Sequence, residues 1–108
     1  MIRLEKNTPH YNHDPIPMRL VENDSAIEKA GDYYWEENKT EPYVLWLAIP
    51  SDDAEWDNHA VIRIQCASVQ SNKVWQWNGN LEKPTLSPSI HTFGIWHGYV
   101  RDGMLVEA

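Results

Sequence analysis

Cysteine, glycine and basic side chains are scarce in this chain, and each scarcity removes a class of function. A single cysteine, Cys66, in 108 residues forms no internal disulfide and supplies no thiolate set for a structural zinc site. Such usage fits a reducing cytoplasm. Five scattered glycines leave no Gly-rich phosphate loop. Nine basic residues against sixteen acids give a formal charge of −7, the opposite of a nucleic-acid footprint. No apolar run approaches the ~20 residues that cross a bilayer. No amphipathic membrane helix is present either. Residues 1–6 alternate in sign and lack the apolar centre of a signal peptide. The expectation is one cytoplasmic domain, residues 1–108, with a protein partner, no nucleic acid and no membrane. Its length suffices to bury roughly two thirds of the unfolded surface.

Tryptophan and proline, by contrast, are plentiful. Six tryptophans and seven prolines are distributed through a strand-like pattern. Residues 43–49 (Y-V-L-W-L-A-I) are nearly continuous in apolar character, as in a central strand buried on both faces. Residues 60–66 alternate, with Ala60, Ile62, Ile64 and Cys66 on one face and Val61, Arg63 and Gln65 on the other. Residues 95–101 and 104–106 flank Asp102-Gly103, the strongest hairpin signal in the chain. That loop sets Arg101 opposite Met104, Val100 opposite Leu105 and Tyr99 opposite Val106. Short edge strands are expected at residues 1–4 and 17–22, and turn chemistry at 7–15. One short helix is expected over residues 26–30, capped by Asp24 or Ser25 and stopped by Gly31. The fold class is therefore mainly β, a small antiparallel β-sandwich or partly open barrel with at most one short helix.

Residues 74–90 carry the most information. Pro84 and Pro88 exclude a helix, so a strand over 74–77 turns at Asn78-Gly79 into a stiff extended arm presenting Thr85, Ser87 and Ser89. His97 follows Ser89 by eight residues, on the strand face shared with Ile95 and Tyr99. His59 follows the acidic loop 52–57. A serine and a histidine oriented by an acid are the minimum for acyl transfer, because the imidazole must take the hydroxyl proton. The same serines equally serve to satisfy backbone beside proline, and His97 serves equally as a half-buried strand residue. His10 and His13 with Asp14, or His59 with Asp57, offer nitrogen and oxygen donors at metal-ligand spacing, although loop histidines are usually simply solvated. No metal or other cofactor is expected. Trp75 and Trp77 share one strand face, either as core or as an exposed aromatic platform that would anchor a protein partner.

The arm W-N-G-N-L-E-K-P-T-L-S-P-S-I, residues 77–90, resembles the signature W-x-x-N-G-(D/N)-x-x-x-P-T-F-S-P-S of a prokaryotic and phage family, domain of unknown function 6527. W-H-G-Y-V-R-D-G, residues 96–103, resembles that family's C-H-S-F-(I/V)-x-D-G hairpin, and His59-Ala60-Val61 its G-H-x-(I/V) segment. The resemblance covers roughly residues 43–106, leaving 1–42 as a variable N-terminal part. It implies a serine-dependent peptidase that removes or matures a ubiquitin-like modifier. It also implies Ser87 or Ser89 as nucleophile, with His97 and His59 as bases or orienters. The family's cysteine cluster is replaced by Asp52-Asp53-Ala54-Glu55-Trp56, and Trp96 stands where a cysteine precedes the second histidine. The family pattern also continues into a D-x-x-H segment, whereas this sequence ends at Ala108. Two functions follow as expectations. The first is a Ser/His hydrolase of peptide or isopeptide bonds, with Ser89 attacking and His97 as base. The other is a non-catalytic acidic binding module engaging a host protein through Trp75 and Trp77, such as a phage inhibitor of a defence protein.

Overall fold

The computed structural model describes residues 14–37, 40–51, 58–68, 73–92 and 94–108. Among them the chain is mainly β, in two sheets that do not close into a barrel. The strands are β1 (Ile16–Pro17), β2 (Arg19–Leu20), β3 (Asp32–Trp35), β4 (Tyr43–Pro50), β5 (His59–Ala67), β6 (Trp75–Trp77), β7 (Leu86–Ser87), β8 (Ile90–Thr92), β9 (Trp96–Arg101) and β10 (Met104–Glu107). One sheet has the order β2-β3-β4-β5-β6-β7 and the other β1-β10-β9-β8. The expected 17–22 edge strand is realised as β2, which borders the larger sheet, while β1 borders the smaller one. The strand expected at residues 1–4 lies outside the described residues.

Alternation builds the core. Leu45 pairs with Trp35 and Ile64, Leu47 with Tyr33 and Ile62, and Tyr43 with Cys66, so these side chains share the inner face of the larger sheet. The register carries this face onward through Trp75 and Trp77 to Leu86. Ile90, Trp96, Val100 and Leu105 close the core from the smaller sheet. Gly98 lies beneath the Trp96 indole, where a Cβ would overlap the ring. The last hairpin has the register that its turn dictates: Arg101 faces Met104, Val100 faces Leu105 and Tyr99 faces Val106. Asp102 and Gly103 both adopt positive φ, 50° and 74°, as the two-residue turn matching strand twist requires.

Two features depart from expectation. The pairs β2·β3 and β5·β6 are parallel within an otherwise antiparallel fold. The helix expected over 26–30 is only a 3₁₀ turn, Asp24–Ala26, with no side-chain cap. Downstream, the buried Asp32 carboxylate accepts the backbone N–H of Glu28 at 2.8 Å and of Lys29 at 3.3 Å, while Arg19 holds it at 2.9 and 2.7 Å. Those N–H groups therefore satisfy a carboxylate rather than a helical carbonyl.

Candidate active site

The residues after β6 do not wander as a loop but are tied down bond by bond. Asn78 Oδ1 accepts the N–H groups of Asn80 and Thr85, each at 3.1 Å, and its amide donates to the Lys83 carbonyl at 3.3 Å. Asn80 Oδ1 accepts from Glu82 and Lys83. Both asparagines thus act as local backbone surrogates, the usual reason for this residue in tight turns. The Leu81 carbonyl accepts from the Tyr33 hydroxyl at 2.7 Å and from the Trp35 indole at 3.2 Å, which fastens the loop to β3. Burial, then the Glu82 charge, pushes the Tyr33 hydroxyl up to about 12, so it stays a donor. The β9–β10 turn clasps the other side: Gly103 N–H donates to Pro84 O at 3.0 Å and Asp102 N–H to Thr85 Oγ1 at 2.8 Å.

Beyond β7 the chain crosses from the larger sheet to the smaller one through Pro88 and Ser89. The Trp75 indole donates to the Pro88 carbonyl at 3.0 Å and pins that crossing. Ser89 follows immediately, and its Oγ lies 3.0 Å from His97 Nε2. His97 sits on β9, on the face opposite the buried Trp96, Gly98 and Val100. Tyr99 shares that outer face, with the Arg101 guanidinium 4.1 Å over its ring. Across β8·β9 the direct partner of His97 is His91, and the two imidazoles stack with centroids 4.5 Å apart and planes 26° apart. Among the described residues no carboxylate hydrogen-bonds to His97. A hydroxyl at this distance from an imidazole nitrogen can pass its proton to it, provided the imidazole is the Nδ1–H tautomer. The arrangement is thus a half-buried hydroxyl and imidazole within hydrogen-bond reach at the seam of two sheets.

The remaining expected site residues fall elsewhere. Ser87 lies on β7 opposite Gln76, pointing away from the core into a shallow cavity of about 200 Å³ lined by Gln76, Trp77, Asn78 and Thr85. His59 begins β5 opposite Pro50, seven residues from Cys66, the partner of Trp75. At ~3.3 Å per residue, about 20 Å of strand separates it from the end that holds the arm. Trp75 and Trp77 do share a face, but it is the inner one. Trp77 is 8% exposed and packs on Trp35 at 4.6 Å, while half-buried Trp75 anchors Pro88. Paired aromatic strand residues fill an inter-sheet space when the facing sheet is present. Buried Cys66 has its thiol pushed up to about 12, by burial first and then by Glu41, which favours the protonated thiol at neutral pH. His10, His13 and the acidic loop 52–57 lie outside the described residues. No group of three potential metal ligands occurs among those that are described.

His91, which the sequence reading does not single out, joins this cluster as the stacked cross-strand partner of His97. Its signal was the S-x-H spacing Ser89-Ile90-His91, which places both polar side chains on one face of an extended strand. Residues 21–108 match the family described as the bacterial ubiquitination-like system serine protease (BubE), so the likeness takes in part of the stretch expected to be variable. Comparison with curated proteins and with solved structures finds no match.

Proposed function

The chain belongs to the family of bacterial ubiquitination-like system serine proteases, and on that footing we propose that it is a cytoplasmic serine hydrolase of peptide or isopeptide bonds in ubiquitin-like conjugates. The observation that carries the reading is the 3.0 Å contact between Ser89 Oγ and His97 Nε2. Ser89 Oγ bonds to the scissile carbonyl carbon as its proton passes to His97 Nε2. The carbon–nitrogen bond then breaks, and the imidazolium returns that proton to the departing amine. Water, deprotonated by the same imidazole, hydrolyses the acyl-serine and restores the hydroxyl. The PT-x-SPS arm of the domain of unknown function 6527 pattern would mark the nucleophile's mounting, with Thr85 tied to the last hairpin and Pro88 to Trp75. Ser87 would belong to that mounting rather than to the chemistry. The acidic surface suits a protein substrate with a neutral or basic approach face.

The test is hydrolysis of a linear fusion and of an isopeptide-linked conjugate of a ubiquitin-like modifier by wild type, Ser87→Ala, Ser89→Ala and His97→Ala. We expect kcat to fall by about 10³-fold or more in Ser89→Ala and His97→Ala, and by less than about threefold in Ser87→Ala, whose hydroxyl does no chemistry in this scheme. Unchanged turnover in Ser89→Ala would dismiss the assignment. Complete inactivity of a folded wild type on both substrates, with tight binding retained, would favour the binding-module function instead.

A further inference from the structure

Resting on the assignment of Ser89 and His97 as nucleophile and base, we propose that His91 is a positioning residue whose ring holds His97 in the orientation that reaches Ser89. Ser89 and His91 are two residues apart on an extended segment, so both side chains emerge on the face that carries His97. His91 and His97 are also direct cross-strand partners. The Ala108 N–H donates to the His97 carbonyl at 3.1 Å, so the backbone polar groups of His97 point towards the C-terminal strand and away from β8. His91 and His97 therefore form a non-hydrogen-bonded antiparallel pair, the kind in which facing side chains approach most closely.

The mode of contact decides what His91 does. The N–H and lone pair of an imidazole lie in the ring plane. Rings stacked 4.5 Å apart and inclined by only 26° touch through their faces. His91 therefore does not set the His97 tautomer by an in-plane bond, as an orienting acid would. It acts as a wall that limits rotation of the His97 ring about its side-chain torsions, leaving Nε2 aimed at Ser89 Oγ. Ser89 confines the ring at its edge, and His91 confines it at its face.

A wall needs a flat ring but no nitrogen, and this separates the idea from a merely structural or a proton-relaying His91. The experiment measures the rate of Ser89 modification by a fluorophosphonate, together with kcat and KM, for wild type, His91→Ala and His91→Phe. In the same variants the His97 ring-proton shifts are recorded by NMR and folding is checked by thermal melting. We expect His91→Ala to lose about tenfold or more in labelling rate and kcat with KM little changed, since small misplacements of a catalytic group cost that much. His91→Phe should recover most of the rate and keep the His97 ring protons under ring-current influence, while His91→Ala moves them downfield. Wild-type rates in His91→Ala would overturn the proposal, as would a His91→Phe variant as slow as His91→Ala. Failure of folded wild type to label at Ser89 would instead remove the functional assignment beneath it, and the proposal with it.

Discussion

Asp32 has no exposed surface and yet stays ionised. Burial alone would push its carboxyl up, but the Arg19 guanidinium and the N–H groups of Glu28 and Lys29 outweigh that and hold it below the ordinary carboxylate value. The unfolded chain binds this proton near pH 4, at about 3.9, and the folded chain only at lower pH. The stabilisation is thus complete above about pH 4 and is lost as pH falls through the folded value. Asp32→Asn should lower stability at pH 7 by about 2 kcal/mol, less than for a fully buried pair because Arg19 is half exposed. The deficit should narrow at pH 3, and urea denaturation at the two pH values measures both effects. Cys66, its thiol pushed up to about 12, should not react with a disulfide reagent at pH 8 in the folded protein, and should react promptly in urea. Fast native labelling would show that β5 opens locally.

At the scale of elements, regular periodicity could be read from sequence and long-range partnership could not. The 60–66 alternation and the Asp102-Gly103 turn each determine a face or a register locally, and β5 and the β9–β10 hairpin follow them. The parallel pairs β2·β3 and β5·β6 depend on tertiary packing, for which neither strand carries a local signal. The short helix failed because Asp32, several residues downstream, competes for its N–H groups. In the site, the prolines restrict the arm to an extended path and so single out Ser87, Ser89 and His97 as candidates. Spacing leaves open which serine meets the histidine; the 3.0 Å contact is made by Ser89. That Trp75 and Trp77 face inward depends on a second sheet lying against theirs, which alternation within one strand does not encode. Gly98 belongs to this scale too, since its missing side chain admits the Trp96 indole. Gly98→Ala should cost about 2 kcal/mol by overpacking, lowering the melting temperature by roughly 10 °C. An unchanged melting temperature would mean that the ring has room to move. Asn78→Ala should cost about 1–2 kcal/mol, because the bonds it loses are exposed ones, with chemical denaturation as the measure.

At the scale of the whole molecule, the candidate site lies where the two sheets meet. Ser89 stands at the crossing from β7 to β8, His97 rises from the middle of the smaller sheet, and the crossing itself is pinned by Trp75 from the larger one. Neither sheet alone contains all three elements, so the dyad should exist only while the sheets are packed. Fluorophosphonate reactivity and tryptophan fluorescence should therefore be lost at the same urea concentration, as in a two-state transition. Reactivity that outlasts the fluorescence change would place the nucleophile outside the sandwich. The most direct trial of the account is to locate the fluorophosphonate adduct by mass spectrometry on folded wild type and on His97→Ala. The account predicts a single adduct on Ser89 that is abolished by His97→Ala. An adduct on Ser87, or one on Ser89 that forms equally fast without His97, would contradict it.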